Sequence, residues 1–291
     1  MKTKNAIPAK NKTAWRSFLV LLASTLFIPL ANAATIGYWQ FEEGTVGNPA
    51  SSITGAIVST GTANNATAFG GPVYNAGVST PNPTGSTESL SFTPTGQRVQ
   101  YSGITGSNFV TVEASVNYNA TPGNGAYQMP IQLGSTGAGV TFYLGAWSSV
   151  SGDSTHLQMA VYNGGWHYAI SSVSIVAGTW YNLAGVYDST GLSLYNNGLL
   201  IASLAYSSAG YGGGTPGNLY VGNNEGGGVI FGNNSGGGGG LIDTVRLSNV
   251  GLSAGQLLYA PVPEPGTMAL GMVAAGGFFF LRLLRRKHSV A

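Results

Sequence analysis

Residues 109–118 read FVTVEASVNY, and this stretch limits the fold more than any other. Val110, Val112, Ala114, Val116 and Tyr118 alternate with Thr111, Glu113, Ser115 and Asn117. Successive side chains of a strand point to opposite faces, so a period of two predicts one dry face and one wet face. A helix needs apolar positions repeating every 3.6 residues, which this stretch lacks. Similar runs occur at 36–41, 88–93, 98–101, 140–144, 155–162, 166–170, 180–187, 218–222 and 241–247. Forty-six glycines and fifteen tyrosines suit turns and strands. In GLSLYNNGLLIAS, Asn197-Gly198 separates two apolar runs, and both residues tolerate positive φ, so a tight hairpin is predicted. No helix-length pattern intervenes between strands, which argues against a parallel sheet. Ser253 and Gln256 have capping-box spacing and predict one short helix closing the body. The expected fold is all-β, an antiparallel sandwich or jelly roll in one domain.

The two ends differ from this body. Lys2, Lys4, Lys10, Lys12 and Arg16 precede an apolar run, Phe18–Leu30, and then Ala31-Asn32-Ala33. That order is a secretory signal cut after Ala33; the alternative is an N-terminal anchor helix. At the other end, Val262-Pro263-Glu264-Pro265 leads into Gly266–Leu281, which carries no charge. Arg282, Arg285, Arg286 and Lys287 follow. The apolar run nearly spans a hydrocarbon core as a transmembrane helix, and a basic cluster beyond it stays cytoplasmic. The expected parts are a signal segment 1–33, a body 34–261 and a tail 262–291. From Ala34 to Pro261 there are two basic residues, Arg98 and Arg246, against eight acids, a net charge of −6. A lysine-free acidic body excludes nucleic acid as a natural partner. There is no cysteine, so burial and sheet pairing alone hold the core.

The tail resembles the PEP-CTERM sorting signal of Gram-negative bacteria, with motif, short span and basic end in order. The resemblance implies recognition and removal of the tail by an exosortase after signal peptidase has acted. It implies transient anchoring in the inner membrane, then a place at the cell surface or outside the cell. The body shows a second resemblance. YWQFEEG, ESLSF, FVTVEASV, GTWYNLAGVYD, LYNNGLLIAS, LYVGNN and GGLIDTVRLSNVGLSAGQLLY follow the order of a laminin G-like, concanavalin A-like jelly roll. Two departures stand out. Asn197-Gly198 replaces the usual Asp-Gly, and Tyr181 and Asn182 stand where the family has a histidine.

Several residues are candidates for function. Asp243 lies in LIDTVRL, where Leu241, Asp243, Val245 and Leu247 share a dry face on strict alternation and Arg246 takes the other. A buried carboxylate there either accepts backbone hydrogen bonds or holds a cation. The resemblance implies a structural calcium ion held by Asp243 with Glu42 or Glu43, because calcium wants six to eight oxygen ligands. Trp147 and Trp166 lie near turns, and with Tyr162 and His167 they form the candidate sugar-stacking set. Glycoside hydrolysis needs two carboxyl groups flanking the bond. Jelly-roll glucanases carry Glu-x-Asp-x-Glu, and this chain has no such triplet. With no close His pair and no Cys, a zinc site has little support. The leading expectation is a non-enzymatic binding protein for extracellular polysaccharide. A structural or adhesion protein is the alternative, and a glycoside hydrolase a third. A sheet face lined with aromatics and amides favours binding; two carboxyls at hydrolase distance favour the enzyme.

Overall fold

The computed structural model describes residues 35–55, 64–82, 84–93, 96–104, 109–122, 127–134, 142–147, 152–207, 210, 217–223, 231 and 239–260. The signal segment and the whole sorting tail, with Pro263, Glu264, Pro265, Arg282, Arg285, Arg286 and Lys287, lie outside the described residues.

The described residues form sixteen strands: β1 (Thr35–Trp39), β2 (Ser52–Ile53), β3 (Ala66–Phe69), β4 (Val73–Asn75), β5 (Ser89–Phe92), β6 (Arg98–Ile104), β7 (Val110–Tyr118), β8 (Tyr127–Leu133), β9 (Phe142–Trp147), β10 (His156–Tyr162), β11 (Trp166–Ser174), β12 (Trp180–Asp188), β13 (Gly191–Asn196), β14 (Leu199–Ala205), β15 (Gly217–Val221) and β16 (Gly240–Ser248). Sheet A runs β14-β13-β12-β7-β16-β5-β4, with β1 also paired to β16. Sheet B runs β11-β10-β9-β8-β15-β6-β3-β2. Neighbouring strands pair antiparallel, as β7 with β12 and β10 with β11. The inner faces pack closely. At Gly185 on β12, an added Cβ would lie 2.7 Å from Phe142 on β9 of the other sheet. Buried Val110, Val112, Val116, Leu183, Leu144 and Met159 belong to this core.

The hairpin forms where it is expected. Asn197 has φ 51° and Gly198 φ 73°, the left-handed pair that the tightest two-residue turn requires. Asn182 Nδ2 donates to Asn197 Oδ1 at 2.8 Å, and Asn197 N–H donates to Asn182 O at 2.9 Å. Tyr181 Oη accepts from Val176 N–H and donates to Ser174 O. Tyr181 and Asn182 thus pin turns at the positions where the family histidine is missing.

Four readings are corrected by the structure. The wet face of β7 is not wet, since all nine of its residues are buried. Residues 249–260 cross sheet A as a strap, whose backbone finds partners on β7 where it covers the strand. Thr111 Oγ1 donates to Val250 O and accepts from Leu252 N–H, both at 2.8 Å. Glu113 Oε1 accepts from Leu258 N–H at 2.6 Å, and Ser115 Oγ meets Tyr259 Oη. The second correction concerns β16. Ile242 opposes Val116 and Val245 opposes Ala114, so Asp243 and Thr244 share the single place opposite Ser115. This bulge shifts the alternation by one. Asp243 is buried on the outer side of sheet A, on the same side as Arg246 and not among the core residues. The third correction is the closing helix, which is one 3-10 turn, Ala254–Gln256. Ser253 N–H donates to Gln256 Oε1 at 3.0 Å. The fourth is a set of extra strands, β2, β3, β4 and β8. The first three have two to four residues, too few to show a period. In β8 Pro130 breaks the pattern, and the strand accommodates it at a register shift between Gln128 and Ile131.

Candidate functional site

Sheet B turns one face away from the core, and register aligns a row of side chains across it. Tyr220 opposes Gln100 and Gln132. Gln132 opposes Tyr143, Tyr143 opposes Ala160, and Ala160 opposes Tyr168. Thr67 extends the row beyond Gln100. Phenols and amides, with Thr67 on β3 and Ala160 on β10, therefore cross β3, β6, β15, β8, β9, β10 and β11 at the strand spacing of about 4.8 Å. The centre of the row is buried: Tyr220, Gln132, Tyr143 and Ala160 are each no more than 6% exposed. Its ends at Tyr168 and at Gln100 and Thr67 reach solvent. Gln132 Nε2 donates to Gly134 O at 2.8 Å, while its buried Oε1 has no partner. Burial pushes the Tyr143 hydroxyl well above its ordinary pKa, so it stays a neutral donor.

At the β9–β11 end the row opens into an aromatic group. Trp166 stacks on Tyr143, with centroids 5.4 Å apart and planes 22° apart. It lies nearly parallel to Tyr168 at 6.3 Å and edge-on to Tyr162 at 5.3 Å. Tyr162 and Trp166 are directly opposed across the β10–β11 pair. Tyr162 is 43% exposed and Trp166 half-buried, so stackable ring surface faces solvent. Asp153 and His156 sit at the start of β10, with Oδ2 and Nδ1 2.6 Å apart.

The structure brings Trp166 and Tyr162 together and does not bring His167 to them. His167 adjoins Trp166 on one strand and so faces the other way. Its ring stacks on Tyr206 at 4.1 Å. Trp147 ends β9, opposite Tyr127; its side chain lies outside the description. Tyr143, Tyr168, Gln100 and Gln132 were not anticipated. Their signal is cross-strand register, which a single sequence does not carry.

The three carboxylates expected around calcium are not brought together. Asp243, fully buried, accepts from Ser79 N–H at 2.8 Å and from Thr244 Oγ1 at 3.1 Å. Glu42 accepts from the backbone of Thr87 and Glu88. Glu43 accepts from Thr54 N–H and Tyr74 Oη. Among the described residues no group of three His, Cys, Asp or Glu side chains is placed to hold a metal. Replacing Asp243 with Ala leaves the Ser79 N–H without its acceptor and costs about 1–3 kcal/mol. Thermal melting with calcium and with chelator checks this. A calcium-dependent rise in wild type that Asp243→Ala abolishes would assign the residue to a cation instead.

Residues 84–257 match the model of the concanavalin A-like lectin/glucanases superfamily, and residues 261–287 match the PEP-CTERM protein-sorting motif. No curated protein sequence matches. Among solved structures, domain 4 of AbnA, a GH43 extracellular arabinanase from Geobacillus stearothermophilus in complex with arabinotriose, aligns with TM-score 0.56 at 15% identity. The alignment covers 79% of this chain and 100% of that domain. The Trypanosoma rangeli sialidase in complex with sialic acid aligns with TM-score 0.50 at 13% identity, over 78% of this chain and 32% of the sialidase. The botulinum neurotoxin serotype D binding domain aligns with TM-score 0.50 at 12% identity, over 77% of this chain and 50% of that one. The chain thus spans about a third of the sialidase and half of the toxin structure. At these identities the likeness is one of fold. The tail marks the protein for export and membrane-associated sorting of the exosortase type. With two antiparallel sheets and a family match over most of the body, the chain belongs to the concanavalin A-like lectin/glucanases superfamily.

Proposed function

We propose that the chain is a non-catalytic glycan-binding protein, acting at the cell surface or in the extracellular matrix after its tail is removed. The observation that carries this is the aromatic group at Tyr162 and Trp166, which opens a row of phenols and amides. Aromatic faces suit the apolar face of a sugar ring, and amides and phenols suit its hydroxyls. The arabinanase domain that aligns over its full length holds arabinotriose, which fits the same reading. The row itself is uncharged, so its ligand is a hydroxyl-rich, predominantly neutral polysaccharide.

Cleavage is not part of the proposal. Among the described residues no strand of sheet B carries Asp or Glu, which supports binding over an acid and nucleophile pair. The test is a glycan array probed with the full chain in mild detergent, with release of reducing sugar followed on each bound polymer. Binding without release is expected. Sustained release, abolished by replacing one acid, overturns the non-catalytic reading in favour of a hydrolase.

A structural matrix role is the second reading. It rests on β14, an edge strand with Leu199 63% and Leu200 55% exposed. Unpaired apolar edges invite pairing with another chain. Retention on no polysaccharide, together with self-association, would put this reading ahead.

Processing falls near Pro263-Glu264-Pro265 in this account. Intact-mass measurement on protein from the producing cells is expected to show a chain lacking the residues beyond that motif. Recovery of the tail through Ala291 from envelope fractions would leave a plain membrane anchor.

A further inference from the structure

The net charge of the body is not spread evenly over its two sheets. In the eight strands of sheet B the only charged side chain at neutral pH, with His neutral, is Arg98. Glu113, Asp188 and Asp243 belong to strands of sheet A, Glu42 and Glu88 lie in loops, and Glu43 accepts from both Tyr74 of β4 and Thr54 beside β2; Glu225 lies outside the described residues. Among the described residues Asp153, just before β10, is engaged by His156 at the start of that strand. At a Debye length of about 8 Å, remote carboxylates are largely screened from a group on sheet B.

Arg98 occupies a prepared position. Its guanidinium carbon lies 4.1 Å from the centroid of the Phe69 ring, directly opposite it across the β3–β6 pair. Its Nε donates to Gln100 Oε1 at 3.4 Å, and Gln100 Nε2 donates to Ser102 Oγ at 3.2 Å. Gln100 is a member of the cross-strand row. Among the described residues Arg98 has no carboxylate partner and its terminal nitrogens carry no hydrogen bond. The chain's other body arginine, Arg246, is spent on the buried Glu113. A guanidinium held flat by a ring and an amide presents parallel N–H groups that match an oxyanion.

We propose that Arg98, backed by Phe69 and Gln100, is a subsite for one anionic substituent on an otherwise neutral glycan, a carboxylate or a sulfate ester. The inference rests on the reading of this face as glycan-binding. It lies five strands from Trp166, about 24 Å at about 4.8 Å per strand, so it reads a different part of the chain from the aromatic group. It also reverses the simplest expectation from net charge, under which an acidic body repels acidic polymers.

The test uses the full chain in mild detergent against a β-glucan, an arabinan and a galactan. Each polymer is offered in neutral, carboxymethyl and sulfate forms. Affinity electrophoresis compares wild type, Arg98→Gln and Trp166→Ala. For the polymer that binds, at least one anionic form is expected to bind about tenfold tighter than the neutral form, the scale of a charge-assisted hydrogen bond. Arg98→Gln is expected to remove that preference and to keep the neutral binding. Preference for the carboxymethyl form identifies a carboxylate, and preference for the sulfate form a sulfate ester. Equal binding of neutral and anionic forms by wild type, or a preference that survives in Arg98→Gln, overturns the subsite while the glycan reading stands. Binding to none of the nine polymers overturns the glycan reading and the subsite with it.

Discussion

Replacing Arg246 with Met is expected to lower folding stability by about 3–5 kcal/mol, the scale of a buried charge that loses its partner. Glu113 is completely buried beneath the strap, and the Arg246 side chain is 15% exposed. The carboxylate has two supports, the Arg246 guanidinium and the Leu258 N–H. Burial nevertheless holds the Glu113 pKa above the usual carboxylate range, against the opposing pull of Arg246 and the two hydrogen bonds. The sign of the pH effect follows. A carboxyl with a raised folded pKa binds more protons in the folded state than in the unfolded one. Its stabilising contribution is complete below the unfolded value, about 4.3, and is lost as pH rises through the folded value. Without Arg246 that folded value rises further, so the loss in Arg246→Met extends to higher pH. Replacing both residues, Glu113→Gln with Arg246→Met, is expected to cost much less than the sum of the single changes. Urea unfolding of the four proteins at several pH values measures this. An additive pair, or an Arg246→Met protein that gains stability as pH rises, would contradict it.

A chain stopped after Gly251 is expected not to fold. The strap beyond that point buries Leu252, Leu257 and Tyr259, each no more than 6% exposed. At about 1.5–3 kcal/mol for each buried side chain, their loss removes about 5–9 kcal/mol. A whole domain has about 5–15 kcal/mol in total. The truncation also strips Glu113 of the Leu258 N–H and uncovers Thr111 and Ser115. A chain stopped after Ala260 keeps all these contacts and is expected to fold. Thermal unfolding followed by near-ultraviolet circular dichroism separates the two. A cooperative transition at the same temperature in both would show that the strap is dispensable. The sorting motif begins at Pro263, just past the last strap contact, so cleavage there leaves the folded body whole.

The strands were legible wherever alternation was long. FVTVEASVNY is β7 within one residue, and Asn197-Gly198 turns as its φ preferences require. What covers a strand was not legible. Thr111, Glu113 and Ser115 look like a solvent face because polar side chains serve water and a buried strap equally well. Asp243 shows the same limit. Its burial follows from its apolar neighbours, but its face does not, because one extra residue in β16 moves it to the other side. β8 was missed because Pro130 and a register shift interrupt its pattern. The candidate face was half legible. Trp166 and Tyr162 stood out as aromatics near a turn, but Tyr143 joins them only through pairing between β9 and β10. Grouping His167 with Trp166 followed sequence adjacency, which on a strand means opposite faces.

Retention of the full chain on an insoluble neutral polysaccharide, compared with that of Tyr162→Ala and Trp166→Ala, tests the central claim most directly. Tyr162 is 43% exposed, so its replacement leaves the melting temperature nearly unchanged. Trp166→Ala removes the ring that contacts Tyr143, Tyr162 and Tyr168 together. If glycan stacks at this end of sheet B, each change weakens retention by about tenfold, on the scale of one lost aromatic contact. Full retention by both variants, each shown by its melting curve to be folded, would place any glycan site elsewhere and contradict the account.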